Sequence, residues 1–239
     1  MTNEDFMNAL KQAGMTLSDA QLAQFEQYYE LLVTTNASVN LTAITEKSEV
    51  YLKHFYDSLT VAFYEKSLQD GEHSLIDIGT GAGFPAIPLK IAFPNLKITL
   101  VDALQKRVKF LQTVVDELKL SDVTIVHGRA EDIGQNPTFR EQFDYATARA
   151  VARTIVLAEY TLPFVHIGGE FLVMKGAAAQ QELADGQKAL QTLGGKLRDE
   201  YAFELPNGDS RFIQIVDKVT KTPKKYPRQA GTPSKKPIA

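Results

Sequence analysis

The chain has 239 residues, of which 44% are hydrophobic and 23% charged, and its net charge is −3 at pH 7. That length can bury a substantial core, and the composition is ordinary for a globular protein rather than a disordered or fibrous one. No stretch approaches the roughly 20 apolar residues of a membrane span, the first residues lack the apolar core of a signal peptide, and there is no cysteine. We therefore expect a cytoplasmic protein without disulfides, and the scattered histidines suggest no metal site.

Residues 1–70 carry the spacing of helices. Ser18 and Gln21 form a capping-box signature. After them, apolar residues repeat three and four positions apart and make one helical face: Leu22, Phe25, Tyr28, Tyr29 and Leu32. The polar segment 34–40 is expected to end this helix, and a further helix is expected from Ser48 to about Tyr64. The aromatic side chains of this region are interpreted as core rather than as platforms for stacked bases.

From Leu75 onward, short apolar runs alternate with helical patterns. Five runs are expected to be strands, the first of them buried: Leu75–Ile78, Lys97–Val101, Val123–Val126, Phe143–Thr147 and Glu170–Met174. Helices are expected over 104–118 and 177–193, and a closing antiparallel pair over 196–205 and 211–218. This alternation predicts a doubly wound, Rossmann-like α/β sheet that is mostly parallel. We divide the chain into an N-terminal helical segment (1–70), a sheet domain (71–218) and a basic, Pro- and Lys-rich tail (219–239).

A glycine-rich loop follows the first strand, where residues 75–86 read Leu-Ile-Asp-Ile-Gly-Thr-Gly-Ala-Gly-Phe-Pro-Ala. Glycine lets the backbone curve tightly and approach a ligand, and doubly wound sheets bind ligands outside the carboxyl ends of their strands. The spacing alone leaves two kinds of ligand open. Residues 81–86 fit the dinucleotide pattern G-x-G-x-x-A, with Asp102 about 20 residues on as a ribose acceptor.

Three carboxylates favour a cationic cofactor over a dinucleotide. Asp77 lies two residues before Gly79, where it could meet an amino group, and Glu131 follows the third strand, where it could lie at the edge of an adenine. With Asp102 they make an acidic site, which suits a sulfonium with an amino-acid tail and is a poor neighbour for phosphates. The alternative is that these side chains only cap the turns that follow them.

Further motifs run along essentially the whole chain: Asn40-Leu41-Thr42, His54 with Asp57-Ser58-Leu59, Lys106-Arg107 before Phe110-Leu111, Gly128-Arg129-Ala130-Glu131, Thr147-Ala148-Arg149-Ala150-Val151-Ala152, Met174-Lys175-Gly176, and Tyr226-Pro227-Arg228 with Gly231. Together with the glycine loop, they resemble the bacterial 16S rRNA guanine-N7 methyltransferases, historically called the glucose-inhibited division protein B family. The glycine loop alone is typical of the whole methyltransferase superfamily. The Arg149 segment and the Tyr226-Pro227-Arg228 motif are far more specific.

The resemblance implies a class I methyltransferase that uses S-adenosyl-L-methionine to methylate N7 of one guanine of 16S rRNA, at position 527 in the conventional numbering. It implies cofactor contacts at Gly79, Phe84, Ala130, Glu131 and Arg149, to which the loop and its carboxylates add Asp77, Gly81 and Asp102. Guanine N7 has a lone pair and no proton, so it can attack the methyl group directly and no general base is expected. We therefore name no catalytic residue.

The charge of the chain is unevenly distributed. Residues 218–239 hold seven basic side chains and no acidic one, which leaves 19 basic against 29 acidic residues elsewhere, a net charge of −10. This cluster of basic residues can contact the phosphates of the expected partner, 16S rRNA or the small ribosomal subunit. The predicted RNA-binding residues are Lys175, Lys224, Lys225, Arg228, Lys235 and Lys236. The prolines among them leave open a solvated, disordered tail.

Several interpretations stay open. His54 and Asp57 share a helical face, so they contact either RNA or cofactor, or they make an interhelical hydrogen bond that locks the N-terminal helical segment over the sheet. Asn40 is interpreted as a loop or cap residue. Three other functions compete: a methyltransferase of a small molecule or protein, a nicotinamide-dependent oxidoreductase, and an RNA-binding factor without enzymatic activity. No pattern in the chain requires more than a monomer.

Overall fold

The N-terminal helices begin at side-chain caps. The structure, a computed structural model, describes all residues, 1–239. Helix α1 (Asn3–Gln12) begins after Thr2, and helix α2 (Asp19–Val39) begins after Ser18, whose hydroxyl accepts the Gln21 N–H group. The predicted capping box is confirmed, and it satisfies backbone donors that have no partner in the first turn.

Helix α2 is longer than its apolar pattern indicates. The prediction that the polar segment 34–40 ends the helix is wrong, because α2 continues to Val39. The Asn36 side chain accepts the N–H groups of residues 41 and 42, so a polar side chain inside the helix serves the backbone just beyond it. The helix ends at Asn40, which has a left-handed φ of 54°. Asn40 is thus a cap residue, as predicted.

A helical segment from Lys47 to Tyr64 confirms the second predicted helix, but its geometry is not uniform. It consists of α3 (Lys47–Val50), a π-helical stretch (Tyr51–Tyr56), α4 (Asp57–Leu59) and α5 (Val61–Tyr64), and a 3₁₀ turn (Lys66–Gln69) follows it. π-Helical stretches are rare and frequently occur at functional sites. The sequence carries no signal for this one.

Seven strands form one sheet in the order β3-β2-β1-β4-β5-β7-β6. Their bounds are Ser74–Ile78 (β1), Lys97–Asp102 (β2), Val123–His127 (β3), Phe143–Arg149 (β4), Val165–Lys175 (β5), Gly195–Glu204 (β6) and Ser210–Lys218 (β7). Strands β1 to β5 are parallel, whereas β7 pairs antiparallel with both β5 and β6. The predicted α/β class is confirmed. The strand order reverses between β1 and β4, which is where such sheets bind ligands.

Helices cover both faces of the sheet: α6 (Ala86–Ala92), α7 (Gln105–Glu117), α8 (Ala130–Ile133), α9 (Thr154–Thr161), α10 (Ala179–Thr192) and α11 (Thr232–Lys235). One core lies between the N-terminal helices, α6, α7 and one sheet face, and it includes Phe25 and Phe55 as predicted. The other lies between the opposite face and α8, α9 and α10. No helix combines the length and apolarity needed to cross a membrane. The domain boundaries after residues 70 and 218 stay predictions.

The C-terminal tail is folded against the sheet domain. Arg140 donates to the carbonyl groups of Thr222 (2.9 Å) and Tyr226 (2.6 Å), and the Tyr226 side chain is buried. Gln135 donates to the Pro227 carbonyl at 2.7 Å. The tail is therefore not the solvated, disordered segment that its prolines left open.

Candidate functional site

The glycine loop turns at the carboxyl end of β1. The Gly79 N–H group donates to the Val101 carbonyl of β2 at 2.8 Å. Gly79, Gly81 and Gly83 all have a positive φ, a backbone conformation that residues other than glycine rarely adopt. A Cβ atom at Gly83 would lie 2.7 Å from the Tyr28 hydroxyl of α2. The shape of the loop therefore depends on the N-terminal helices as well as on the sheet.

Asp77 lies in β1 directly before this loop and is completely buried. Its Oδ2 atom accepts the Thr80 hydroxyl (2.7 Å) and the Ala86 N–H group (3.4 Å), whereas Oδ1 has no partner. Burial raises the pKa of Asp77 to about 7, although the Thr80 hydrogen bond acts in the opposite direction. Buried polar atoms normally have a hydrogen-bond partner, and a cationic ligand would supply the one that Asp77 Oδ1 lacks.

Asp102 ends β2 and holds the glycine loop to the next turn. Its Oδ2 atom accepts the Gly81 N–H group and its Oδ1 atom accepts the Leu104 N–H group, both at 2.9 Å. Arg107 lies 3.5 Å from Oδ2. The turn-capping contacts that the sequence left open therefore exist for both Asp77 and Asp102, and both residues also stand at the ligand-binding ends of their strands.

A cavity of about 210 Å³ lies at the carboxyl ends of β1, β2 and β3. We call it the smaller cavity, because a larger one adjoins it. Four predicted cofactor-binding residues line the smaller cavity: Gly79, Asp102, Ala130 and Glu131. The other four do not line it: Asp77, Gly81, Phe84 and Arg149. Glu131 is buried at the cavity, and its Oε1 atom accepts the Gly231 N–H group at 2.8 Å. The structure thus brings two of the three predicted carboxylates, Asp102 and Glu131, to one cavity, whereas Asp77 lies in β1 and does not line it.

Sequence reasoning misses part of the smaller cavity, which is also lined by Val151, Tyr160, Gly231 and Ser234. Gly231 and Ser234 come from the C-terminal tail, and no local pattern places residues so distant in sequence beside Glu131. Val151 belongs to a motif that the sequence does show. A Cβ atom at Gly79 would lie 2.8 Å from its side chain, so glycine at that position leaves room for Val151.

A second cavity, of about 580 Å³, adjoins the first, since Val151 lines both. This larger cavity is lined by five cationic side chains: Lys53, Arg149, Arg153, Lys175 and Arg211. Its acidic side chains are already paired, Asp57 with two of these arginines and Glu182 with Lys175 at 2.8 Å. Lys175 is the one predicted RNA-binding residue that lines it. The other four cationic residues of this cavity were not predicted to bind RNA. Their basic character is the only hint in the sequence, and the patterns that identify strands and helices do not distinguish them from other basic residues.

Arg149 is the last residue of β4 and lies beneath the N-terminal helices. Its guanidinium is 3.4 Å from the Asp57 carboxylate, donates to the Lys53 carbonyl at 3.3 Å, and lies 5.2 Å from the centre of the Phe84 ring. Burial lowers the pKa of Arg149, while the Asp57 charge opposes that shift. Arg149 therefore connects the glycine loop, through Phe84, with the larger cavity.

His54 completes this arrangement. Its ring stacks on Phe84 with 4.5 Å between the ring centres, and its Nε2 atom is 2.8 Å from the Thr42 hydroxyl. Burial and the nearby Arg149 charge lower the pKa of His54 to about 3. His54 and Asp57 both contact Arg149 at the edge of the larger cavity. They join the helical segment to β4 rather than to another helix.

The basic residues of the tail fall into two groups. Four predicted RNA-binding residues are exposed and lie outside ion-pair distance of any carboxylate: Lys224, Lys225, Lys235 and Lys236. Arg228 instead pairs with Glu159 at 2.6 Å, and the buried Lys218 donates to the Leu162 carbonyl with Glu141 3.8 Å away. The expectation of seven basic residues without a counter-charge is wrong for Arg228, which pairs with Glu159 although its side chain stays 26% exposed, and for Lys218, which is buried at the end of β7 near Glu141.

Comparison with known proteins gives the family of the chain. The family model described as rRNA small subunit methyltransferase G matches residues 21–205. The chain belongs to this family. It is 76% identical over 239 residues to the ribosomal RNA small subunit methyltransferase G of Leuconostoc mesenteroides, and 54% identical over 238 residues to the protein of the same name in Lactococcus lactis subsp. lactis. Both comparisons cover the full length of each chain.

Solved structures share the fold at low sequence identity. TrmN from Thermus thermophilus has a TM-score of 0.53 and 16% identity, over 68% of this chain and 48% of that chain. Fibrillarin from Aeropyrum pernix, in complex with natively bound S-adenosyl-L-methionine, has a TM-score of 0.51 and 17% identity, over 66% of this chain and 72% of that one. Family and fold together confirm a class I methyltransferase and its expected cofactor, S-adenosyl-L-methionine. The nicotinamide alternative is set aside.

Proposed function

We propose that the protein transfers a methyl group from S-adenosyl-L-methionine to N7 of one guanine of 16S rRNA, as free RNA or within the small ribosomal subunit. The observation that carries this proposal is the adjacency of two cavities of opposite charge. The smaller one is lined by two carboxylates, Asp102 and Glu131, and one cation, Arg129. The larger one is lined by five cationic side chains against two carboxylates, and Val151 lines both. An acidic site suits a sulfonium cofactor, and a cationic one suits RNA phosphates.

The residues at the ends of β1, β2 and β3 fit the proposed cofactor. Asp77 offers a buried oxygen without a partner to an ammonium group, and Glu131 offers acceptors to an adenosine. At about 210 Å³ the smaller cavity is below the roughly 300–1,000 Å³ of a complete ligand pocket, so it fits a part of the cofactor such as the adenosine. We place cofactor binding at the predicted residues: Asp77, Gly79, Gly81, Phe84, Asp102, Ala130, Glu131 and Arg149.

The proposed chemistry needs no general base. The bound cofactor supplies an electrophilic methyl group, and the N7–C bond forms as the S–C bond breaks, so positive charge passes from sulfur to guanine and no proton moves. With a pKa lowered to about 3, His54 is a weak base, and two arginines hold Asp57. Positioning the ring in line with the methyl group can contribute about 7–11 kcal/mol.

Arg149→Ala tests the role of the arginine at the end of β4. The methylated guanine is cationic, so a nearby arginine does not stabilise it, and Arg149 is proposed to serve cofactor or phosphate binding. We expect the KM for cofactor or RNA to rise about tenfold, with a smaller change of kcat, as when binding common to ground and transition state is removed. Steady-state kinetics with each substrate varied in turn measures both constants. Unchanged affinities with a collapsed kcat would contradict this role.

Lys235, the last residue of α11, and Lys236, which follows it, are exposed and are proposed to contact RNA phosphates. In the double variant Lys235→Ala/Lys236→Ala, the slope of log K against log salt concentration should become shallower by roughly 0.7 to 0.9 for each phosphate that is no longer neutralised. Filter binding or fluorescence anisotropy across a salt series measures this slope. Lys11→Ala, an exposed lysine of α1, is the control and should leave it unchanged. An unaltered slope in the double variant removes these lysines from the interface.

The function itself is tested by methyl transfer from labelled cofactor to three substrates: naked 16S rRNA, partly assembled small subunits and finished ones. We expect one methyl group per 16S rRNA, mapped to N7 of a single guanine. Labelling of another atom or another RNA would refute the proposed specificity while leaving a methyltransferase. Tight RNA binding without any transfer would instead favour an RNA-binding factor that retains the fold.

A further inference from the structure

The C-terminal segment 222–238 forms one side of the smaller cavity. Gly231 and Ser234 line this cavity together with Glu131. The Gly231 N–H group donates to Glu131 Oε1 at 2.8 Å, and the Ser234 hydroxyl lies 2.9 Å from the hydroxyl of Tyr160, which lines the same cavity. Residues at the very end of the chain thus complete a cavity that begins at the glycine loop.

An ion pair at Arg228 adds to the hydrogen bonds by which Arg140 and Gln135 hold this segment. The Arg228 side chain makes three hydrogen bonds to the Glu159 carboxylate of α9, at 2.6, 2.9 and 3.2 Å, and the Arg228 backbone N–H group donates to it at 2.7 Å. Glu159 is only 1% exposed, and Arg228 is the one cation within ion-pair distance of its carboxylate. A guanidinium that engages both carboxylate oxygens fixes orientation as well as distance.

The packing around Arg228 is continuous with the cavity. Tyr226 is buried, and the Pro227 ring is so close to Gly134 that a Cβ atom there would lie 2.8 Å from it. Gly134 directly follows α8, the helix that carries Ala130 and Glu131. Any shift of the segment at Arg228 therefore reaches α8 on one side and Gly231 on the other.

We propose that segment 222–238 closes the cofactor cavity, and that Arg228 is a positioning residue for the cofactor rather than an RNA ligand. Arg228 acts through Glu159, which docks the segment so that Gly231 and Ser234 stand at the cavity and the Glu131 carboxylate is oriented. The inference rests on the proposed placement of the adenosine beside Glu131. Arg228, in the motif Tyr226-Pro227-Arg228, was predicted to bind RNA, and this proposal gives it a role in cofactor binding instead.

The test is calorimetric titration of full-length protein with S-adenosyl-L-methionine. Because apparent affinity falls in proportion to the fraction of molecules with the segment docked, Arg228→Ala should bind at least about tenfold more weakly. Arg228→Lys, which keeps the charge, should recover part of that affinity. Gln229→Ala, at the exposed neighbouring position, is the matched control and should bind like the wild type.

Two results would overturn the inference: wild-type cofactor affinity in a folded Arg228→Ala variant, or a raised KM for small subunits without a change in cofactor affinity. If Arg228→Ala does not fold, Ser234→Ala decides, since removal of one neutral hydrogen bond should weaken cofactor binding about threefold, and full affinity there refutes the proposal. Failure of the wild-type protein to bind the cofactor would refute the proposed function instead, so the two failures are distinguishable.

Discussion

Replacing Asp77 by asparagine is expected to weaken S-adenosyl-L-methionine binding about a hundredfold at pH 8 and to abolish its dependence on pH. Asp77 is completely buried, and its Oδ1 atom has no protein partner. A cationic group of the cofactor that meets this carboxylate forms a desolvated charge pair, and removal of one member of such a pair typically costs about 2–5 kcal/mol. Calorimetry of both proteins between pH 5 and 8 measures the effect.

The pH dependence follows from the ionisation of Asp77. Its pKa is raised from 3.8 to about 7 by burial, so below pH 7 the carboxyl group must lose a proton before it can pair with a cation. Wild-type affinity should therefore rise about tenfold per pH unit up to about pH 7 and then level off. The cofactor affinity of the Asp77→Asn variant should not change with pH. A flat wild-type profile, or equal affinities at pH 8, would remove Asp77 from the cofactor site.

Stability without cofactor separates impaired binding from impaired folding. Because the pKa of Asp77 is higher in the folded state, the folded state retains a proton that the unfolded state releases between pH 3.8 and 7. The contribution of Asp77 to stability thus falls as the pH rises through that window, by about 4 kcal/mol in total. His54, with its pKa lowered to about 3, acts in the opposite direction below pH 6.5. His54 is present in both the wild type and the Asp77→Asn variant, so its effect cancels in the difference between their free energies of unfolding.

The parts of the site that were predictable from sequence are those held by short stretches of chain. Asp102 ends β2 and Glu131 comes after β3, both of which are apolar runs in the sequence, and parallel strands bring their carboxyl ends to one sheet edge. Glycine at position 79 is likewise required locally, by a positive φ in the turn after β1. Local hydrophobic pattern and turn chemistry are enough for such features.

What escaped prediction depends on interactions between distant segments. Arg228 carries the same charge as the exposed Lys224, and only the folded tail shows that a buried glutamate on α9 pairs with it. The extension of α2 through residues 34–40 has a similar origin, since the Asn36 side chain bonds to backbone beyond the helix end. The sequence pattern shows which residues are charged or polar, whereas tertiary structure decides which of them are free to bind RNA.

Asp57→Ala is expected to destabilise the folded protein by about 3–5 kcal/mol, because it leaves the buried Arg149 guanidinium without its carboxylate partner. Asp57 lies 3.4 Å from the Arg149 guanidinium and 3.1 Å from that of Arg211, so it is the one acidic group between two cations of the larger cavity. Urea unfolding measures the decrease in stability. Glu49→Ala is the matched control, since the partly exposed pair of Glu49 with Lys53 should contribute less than about 1 kcal/mol.

A double-mutant cycle identifies the cause of the Asp57 effect. If the unpaired guanidinium is responsible, combining Asp57→Ala with Arg149→Met removes the buried charge and fills its volume, so the double variant should be more stable than Asp57→Ala alone. Strictly additive effects would mean that Asp57 stabilises the fold by packing or through Arg211. The cycle therefore shows whether the larger cavity keeps its cations at the cost of stability, as expected for a surface that has to receive a polyanion.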